Sequence, residues 1–324
     1  VLHKSICSVS IDLDSISCYT EIHGLDSHIV HLPDISKAPD LIYSHALPRF
    51  LELLQKHHIR ATLFVVGRDV QHPQHAQILQ EAADRGHELA NHTYNHPYRL
   101  IAMSADDIVS EISMGAAAIS DLLPNNQSIA GFRCPGYNTS SKILAILRQQ
   151  GYLYDSSIFP CPPYYLAKAM ILGWMSLQKR QSRSIIGSPR VLFSPTHPYK
   201  PGIDPHHPSE DQAFTNQQEL WELPISVIPG IRLPFIGTSI ALYPRYLLPS
   251  MTWAITRHNP FLNLEFHGID LLDIEDHISL NALASYQPDL HIPLVEKHKR
   301  FDQLFAQLSQ SYQFIPMIES IAYL

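Results

Sequence analysis

The sequence predicts an α/β fold built on a parallel sheet, open or closed into a barrel. Short apolar runs of strand length alternate along the chain with amphipathic stretches of helix length. Several of these helical stretches end at Gly or Pro just before the next strand begins. With 324 residues, 45% of them hydrophobic, the chain can fill one barrel-sized core. One domain over 1–324 is therefore the starting expectation.

Ile6 to Ile11 reads as the first strand. His45 to His58 is a helix with Leu47, Phe50, Leu51 and Leu54 on one face. Ala61 to Val66 is a strand, His75 to Arg85 a helix stopped by Gly86, and Glu88 to Ala90 a short strand. Ser104 caps a helix running toward Leu123, with Pro124 beyond. Ile129 to Phe132 is a strand, Ser141 to Gln150 a helix closed by Gly151, and Tyr152 to Tyr154 a strand. The rhythm then breaks, and residues 160–218 form an insertion rich in Pro and His. Strands resume at Leu220 to Ile228 and Phe261 to Phe266, with one helix between them. A helix at Leu294 to Leu308 and a strand at Phe314 to Ile318 end the chain. In such sheets functional groups gather at the C-terminal ends of the strands.

A net charge of -7 argues against a nucleic-acid partner, which calls for a basic stripe. Cys7, Cys18, Cys134 and Cys161 form no C-x-x-C pair and do not read as a disulfide framework in a chain this long. The first ten residues run straight into strand sequence and do not read as a signal peptide. The longest apolar stretch, Tyr164 to Leu177, is interrupted by Lys168 and is shorter than the ~20 residues of a spanning helix. The expected location is cytoplasmic, or peripheral on the inner face of the membrane, in a bacterium.

Asp12 and Asp14 end the first strand. Residues i and i+2 point to one face, and two carboxylates there repel unless a cation or a proton lies between them. His92 and His96 follow the third strand, with the i, i+4 spacing that places both rings on one face of a helical turn, as in many zinc sites. With 20 His in the chain, about one such pair arises by chance, so position at a strand end matters more than spacing. Asp14, His92 and His96 make a two-His, one-carboxylate set that leaves coordination positions open. Such a site readies a water to attack a carbonyl, with Asp12 placed to take its proton. His267 ends a late strand on the same rim and suits a general acid for a leaving amine, although a lone His there is more often structural.

These residues, in this order, resemble the polysaccharide deacetylase (NodB homology) superfamily, carbohydrate esterase family 4 and its relatives. The Asp pair at Ser10–Asp14 resembles the first motif. His92-Thr93-Tyr94-Asn95-His96 matches the second, H-[ST]-x-x-H, in full. Arg133-Cys134-Pro135-Gly136-Tyr137, Asp155-Ser156-Ser157 and Phe266-His267 resemble the third, fourth and fifth. The resemblance implies a distorted (β/α) barrel with fewer than eight strands. It also implies roles: Asp12 as base, oriented by Arg133; Asp14, His92 and His96 on one divalent metal; His267 as acid, tuned by Asp155. Gly136 and Tyr137 would bind substrate, a backbone N–H near Tyr137 holding the oxyanion. Zinc is the first choice of metal, with Co, Ni, Mn and Fe also compatible. The implied reaction removes an acetyl or formyl group from an amino sugar.

Three departures qualify the match. The pair is Asp-x-Asp rather than adjacent, which resembles the branch holding the aminoarabinose-lipid deformylase and points to a smaller or lipid-linked amino sugar. Gly136 is inserted before Tyr137. The 160–218 insertion is outside the common core. Two other readings stay open: a non-catalytic glycan- or partner-binding member of the fold, and an amidohydrolase like the allantoinases. His72, His75, His197, His206 and His207 read as loop residues rather than a second metal site, and Cys134 as a small buried residue. The segment 164–183, apolar with Trp174 and a basic flank, reads either as a helix packed on the barrel or as a peripheral membrane contact.

Overall fold

The computed structural model describes residues 5–23, 25, 40–124, 127–177, 182–209 and 219–324. Strand β1 (Ser5–Asp12) is the centre of the sheet. Along one edge it pairs in parallel with β7 (Phe261–His267), from Ile6 opposite Phe261 to Asp12 opposite His267. Its other edge is shared. β8 (Tyr312–Phe314) takes Ser5 to Cys7, and β2 (Thr62–Val65) takes Ser10 to Asp12. Beyond β2 follow β3 (Glu88–Asn91), β4 (Gly131–Phe132), β5 (Tyr154–Asp155) and β6 (Trp221–Glu222), all parallel. Seven strands make the curled wall, and β8 inserts at its foot. Past β6 the wall turns back on β7: Ser226 N donates to Asn263 O at 3.1 Å, and Asn263 Nδ2 donates to Leu223 O at 2.9 Å. This is the expected distorted barrel with fewer than eight wall strands.

The two-residue alternation of the strands sorts side chains to two sides. Cys7, Val9 and Ile11 of β1, Leu63 and Val65 of β2, and Leu262, Leu264 and Phe266 of β7 join the main apolar core with the helices. The opposite set is more polar: Ser8, Ser10 and Asp12 alternate with that apolar set on β1, and Asn263, Glu265 and His267 do so on β7. Gly131 leaves room for a tyrosine here, since a Cβ on it would meet the Tyr154 ring at 2.1 Å. The Tyr154 hydroxyl in turn donates to Glu88 Oε1 at 2.9 Å.

The helices follow the apolar periodicity. They are α1 (Ile16–Ile22), α2 (Leu47–Lys56), α3 (Pro73–Asp84), α4 (Ala105–Ser120), α5 (Ser141–Gln149) and α6 (Pro162–Leu177). After β6 come α7 (Gly237–Leu242), α8 (Leu248–His258), α9 (Leu280–Ala284), α10 (Leu294–Leu308) and α11 (Met317–Ser320). Helix α10 buries Phe301, Leu304, Phe305 and Leu308, a spacing that keeps one face on the sheet. Ser104 caps α4 as expected, accepting from Asp107 N.

Proline accounts for three differences from expectation. The strand expected over Leu220–Ile228 pairs in the sheet only at Trp221–Glu222, because Pro224 has no N–H to offer. The strand expected over Phe314–Ile318 lies instead at Tyr312–Phe314, and Pro316 caps a short helix after it. Two helices, α7 and α8, replace the single expected one, with Pro244 between them. Within 160–218, residues 178–181 and 210–218 lie outside the described residues. The rest holds α6, a short turn at Pro189–Phe193, and an antiparallel bridge from Tyr199 back to Glu222.

Candidate active site

Asp12 closes β1, and Leu13 N still donates to Phe64 O at 3.0 Å, so the extended backbone carries Asp14 to the same side as Asp12. β3 ends at Asn91, and the His92–His96 segment leaves it as a loop, not as the helical turn that the spacing predicts. Thr93 and His96 both have left-handed backbones, with φ of 67° and 58°. Two side-chain bonds hold this unusual path: Thr93 N donates to Asn91 Oδ1 at 2.9 Å, and His96 N donates to Thr93 Oγ1 at 3.0 Å. The rings still converge. Asp14 Oδ1 lies 3.3 Å from His92 Nε2 and 3.1 Å from His96 Nε2.

These donors suit a metal ion. Their ligand atoms lie within 4.8 Å of one another and all three residues are buried. Neither ring nitrogen of His96 makes a hydrogen bond, and the same holds for Asp14 Oδ1. Buried polar atoms are normally satisfied, so such a cluster calls for a partner outside the chain. His92 Nδ1 faces Arg133 O at 2.7 Å; donating there leaves the Nε2 lone pair toward Asp14. Burial pushes the Asp14 carboxyl up, but His96 and His92 beside it hold it well below the usual carboxylate range.

Arg133 is fully buried, and its guanidinium is held from several sides. Nη1 donates to Asp12 Oδ1 at 2.5 Å and lies 3.5 Å from Glu265 Oε1. Nη2 donates to Ser10 Oγ and Ser156 Oγ, and Nε to Ser156 O. The Phe64 ring lies 4.0 Å from its centre. One Asp12 oxygen is thereby fixed, and the other, Oδ2, lies 3.9 Å from His92 Nε2.

His267 lies across the site. Burial pulls its imidazole down, but Glu265, Asp12, Asp270 and Asp14 outweigh that and push it up to about 9. Its Nε2 is 2.9 Å from the Tyr137 hydroxyl. Asp155, expected to tune it, is absent from these partners. It takes a hydrogen bond from Ser157 Oγ and sits in register with Glu222 on β6, whose carboxyl is pushed well above the usual range by burial and by the Asp155 charge. The oxyanion expectation also changes. Tyr137 N donates within its own turn to Cys134 O at 3.3 Å, so the phenol, not the amide, reaches the site. The inserted Gly136 makes this turn possible, with φ of 64° followed by 62° at Tyr137.

Asp12, Asp14, His92 and His267 open onto one cavity of about 410 Å³. Its far wall is apolar and aromatic, with Tyr98, Tyr164, Pro163, Ala167, Ile22 and Leu242. Gly136 and Tyr137 line it as well. Among the described residues, the loop histidines form no further metal-competent cluster. All four cysteines are free and buried.

Residues 37–154 match the family model described as Polysaccharide deacetylase. The chain is 24% identical over 163 residues to a peptidoglycan deacetylase of Helicobacter pylori, covering 50% of this chain and 53% of that protein. It is 35% identical over 80 residues to a chitooligosaccharide deacetylase of Rhizobium leguminosarum, covering 25% and 36%. Its fold matches the crystal structure of a Mycobacterium smegmatis protein assigned as a polysaccharide deacetylase. That match has a TM-score of 0.57 at 16% identity, over 100% of this chain and 91% of the other. Over that matched stretch, about a third of the chain, the protein is similar to the polysaccharide deacetylases. It spans about half the length of the Helicobacter relative and less of the Rhizobium one.

The matched stretch contains His92, His96 and Arg133. Asp12, Asp14 and His267 lie outside it, and the fold brings them to the same rim. Sequence reasoning missed Glu265. The signal was present: Glu265 is two residues before His267 on one strand, the relation that singled out Asp12 and Asp14.

Proposed function

We propose that the protein is a metal-dependent hydrolase that removes an N-acyl group from an amino sugar, with acetyl as the first substrate to test and formyl the second. The observation that carries this reading is the convergence of three buried ligand groups, Asp14, His92 and His96, beside a cavity onto which Asp14 and His92 open together with Asp12 and His267. The similar proteins named above, a peptidoglycan deacetylase and a chitooligosaccharide deacetylase, support the amino-sugar class.

Asp14, His92 and His96 would hold a divalent ion, which would supply Lewis-acid polarisation of the acyl carbonyl and lower the pKa of a water toward neutrality. Asp12 accepts the proton of the attacking water through Oδ2, while Arg133 fixes Oδ1 and keeps the carboxylate turned into the cavity. As the C–N bond breaks, His267 gives its proton to the departing nitrogen, and the free amine and the carboxylate leave. The test is acid release from N-acetylated and N-formylated amino sugars and chito-oligomers by the metal-loaded protein. Asp12→Asn is expected to keep its metal and lose turnover by about 10²–10⁴-fold, the usual size of a general-base contribution. Turnover of Asp12→Asn at the wild-type rate sinks the mechanism.

The apolar far wall of the cavity favours a substrate that carries an apolar portion, as a glycolipid does. Helix α6 continues that wall outward and leaves Leu166, Met170, Ile171, Trp174 and Leu177 exposed. This supports peripheral membrane contact through 164–183, of which residues 178–181 lie outside the described residues. Flotation with anionic liposomes tests it, and failure of the chain to float removes the membrane arm while leaving the chemistry untouched.

A further inference from the structure

Glu265 is a buried carboxylate that the reaction scheme above does not use. It sits on β7 in register with Ser10, while His267 sits in register with Asp12, so both project to the same side of one rigid strand. Ligand-type atoms of Asp12, Glu265 and His267 lie within 4.8 Å of one another. Arg133 faces both carboxylates, at 2.5 Å from Asp12 and 3.5 Å from Glu265. One guanidinium against two buried carboxylates leaves one negative charge over, and buried charges require partners. His267, two residues along the same strand and within that cluster, is a group that can carry the compensating charge.

We propose that Glu265 is the positioning carboxylate of His267, holding the imidazole in its charged, proton-donating form and in the orientation set by the Tyr137 hydroxyl. It takes the place that resemblance assigns to Asp155. The proposal rests on His267 being the acid of the hydrolase reading. A metal ion in this second cluster is disfavoured, because Arg133 already supplies positive charge to both carboxylates. The groups facing His267 are Glu265 on its own strand, Asp12 at the end of β1 and Asp14 just beyond it, Asp270 from the turn that follows, and Tyr137 from the turn after β4. Asp270 is itself tied to Thr238 Oγ1 at 2.6 Å and to His267 N at 2.9 Å, so it holds the backbone end of the histidine. Burial pushes the Glu265 carboxyl up to about 7, which fits a group whose charge depends on its cationic neighbours.

The experiment compares zinc-loaded wild type, Glu265→Gln and Glu265→Asp. His267 is titrated by NMR of histidine-labelled protein, assigned by His267→Gln, and kcat and KM are followed across pH. Glu265→Gln is expected to lower the His267 midpoint by at least one pH unit and to move the alkaline limb of kcat by the same amount. That amounts to a loss of about tenfold in kcat at the wild-type limb. KM and metal content stay near wild type, and Glu265→Asp recovers most of the shift. An unchanged midpoint in Glu265→Gln overturns the proposal and leaves Glu265 as a structural partner of Arg133. If Glu265→Gln does not fold, a wild-type His267 midpoint at or below the ordinary 6.5 overturns it without a variant. Full turnover in His267→Gln defeats instead the reading on which the proposal rests.

Discussion

Arg133→Met tests how the polar interior of the barrel is held together. Met is close in length and apolar, so the change removes charge and hydrogen bonds while keeping much of the volume. Arg133 is 0% exposed and binds Asp12, Ser10 and Ser156, with Glu265 at 3.5 Å. Its loss leaves two buried carboxylates facing an apolar side chain. Breaking a buried ion pair by removing one partner costs about 3–5 kcal/mol, far more than a surface pair. The cost has a sign with pH. Removing the guanidinium raises the Glu265 carboxyl further above its unfolded value. A carboxyl raised on folding contributes stability at low pH and loses it as pH rises through its folded value, near 7 in the wild type. The deficit of Arg133→Met is therefore expected to be largest at pH 8 and smaller at pH 5.5. Urea unfolding of both proteins in chelator, at both pH values, measures it. A deficit below about 1 kcal/mol at pH 8, the range of an exposed pair, refutes the reasoning. So does a deficit that does not change with pH.

Gly131→Ala places a methyl about where the Tyr154 ring lies, and overpacking of this kind is expected to cost about 1–3 kcal/mol or more, read as a lowered Tm. His87 accepts from Ala61 N at 3.0 Å, and burial, with Arg85 and Arg60 nearby, pulls its imidazole down to about 4. It therefore stabilises the fold above pH 6.5, and that contribution is lost as pH falls toward 4. His87→Gln is expected to flatten the pH–stability curve in that window, and an unchanged slope contradicts the assignment. Tyr137→Phe removes the hydroxyl beside His267 and is expected to lower kcat by about tenfold with little change in metal content, consistent with one lost hydrogen bond to a charged group.

Much of this architecture was visible in the residues because apolar periodicity is local. The Leu294–Leu308 helix and the first strand appear where their patterns place them, and the Asp12–Asp14 pair follows from strand alternation alone. What stayed hidden depends on the third dimension or on backbone detail. His92 and His96 meet at one point, but through a loop with two left-handed residues that i, i+4 spacing cannot distinguish from a helical turn. Asp155 and Glu265 are both acidic residues near late strand ends. Which one faces His267 is decided by sheet register, since β5 neighbours β6 and β7 neighbours β1. Tyr137 was read through its amide, yet the extra residue Gly136 turns the phenol inward instead. Proline shortened two strands whose apolar composition alone would extend them.

We propose that Asp14, His92 and His96 hold the ion on which hydrolysis depends. The most direct test of this is metal content by mass spectrometry together with acetate release, in wild type, Asp14→Ala, His92→Ala and His96→Ala. One divalent ion per wild-type chain is expected, with stripped protein inactive and recovering turnover when an ion is restored. Each variant is expected to lose both the ion and the activity while remaining folded. Stripped wild type that releases acetate at the full rate, or variants that keep stoichiometric metal, would contradict the account.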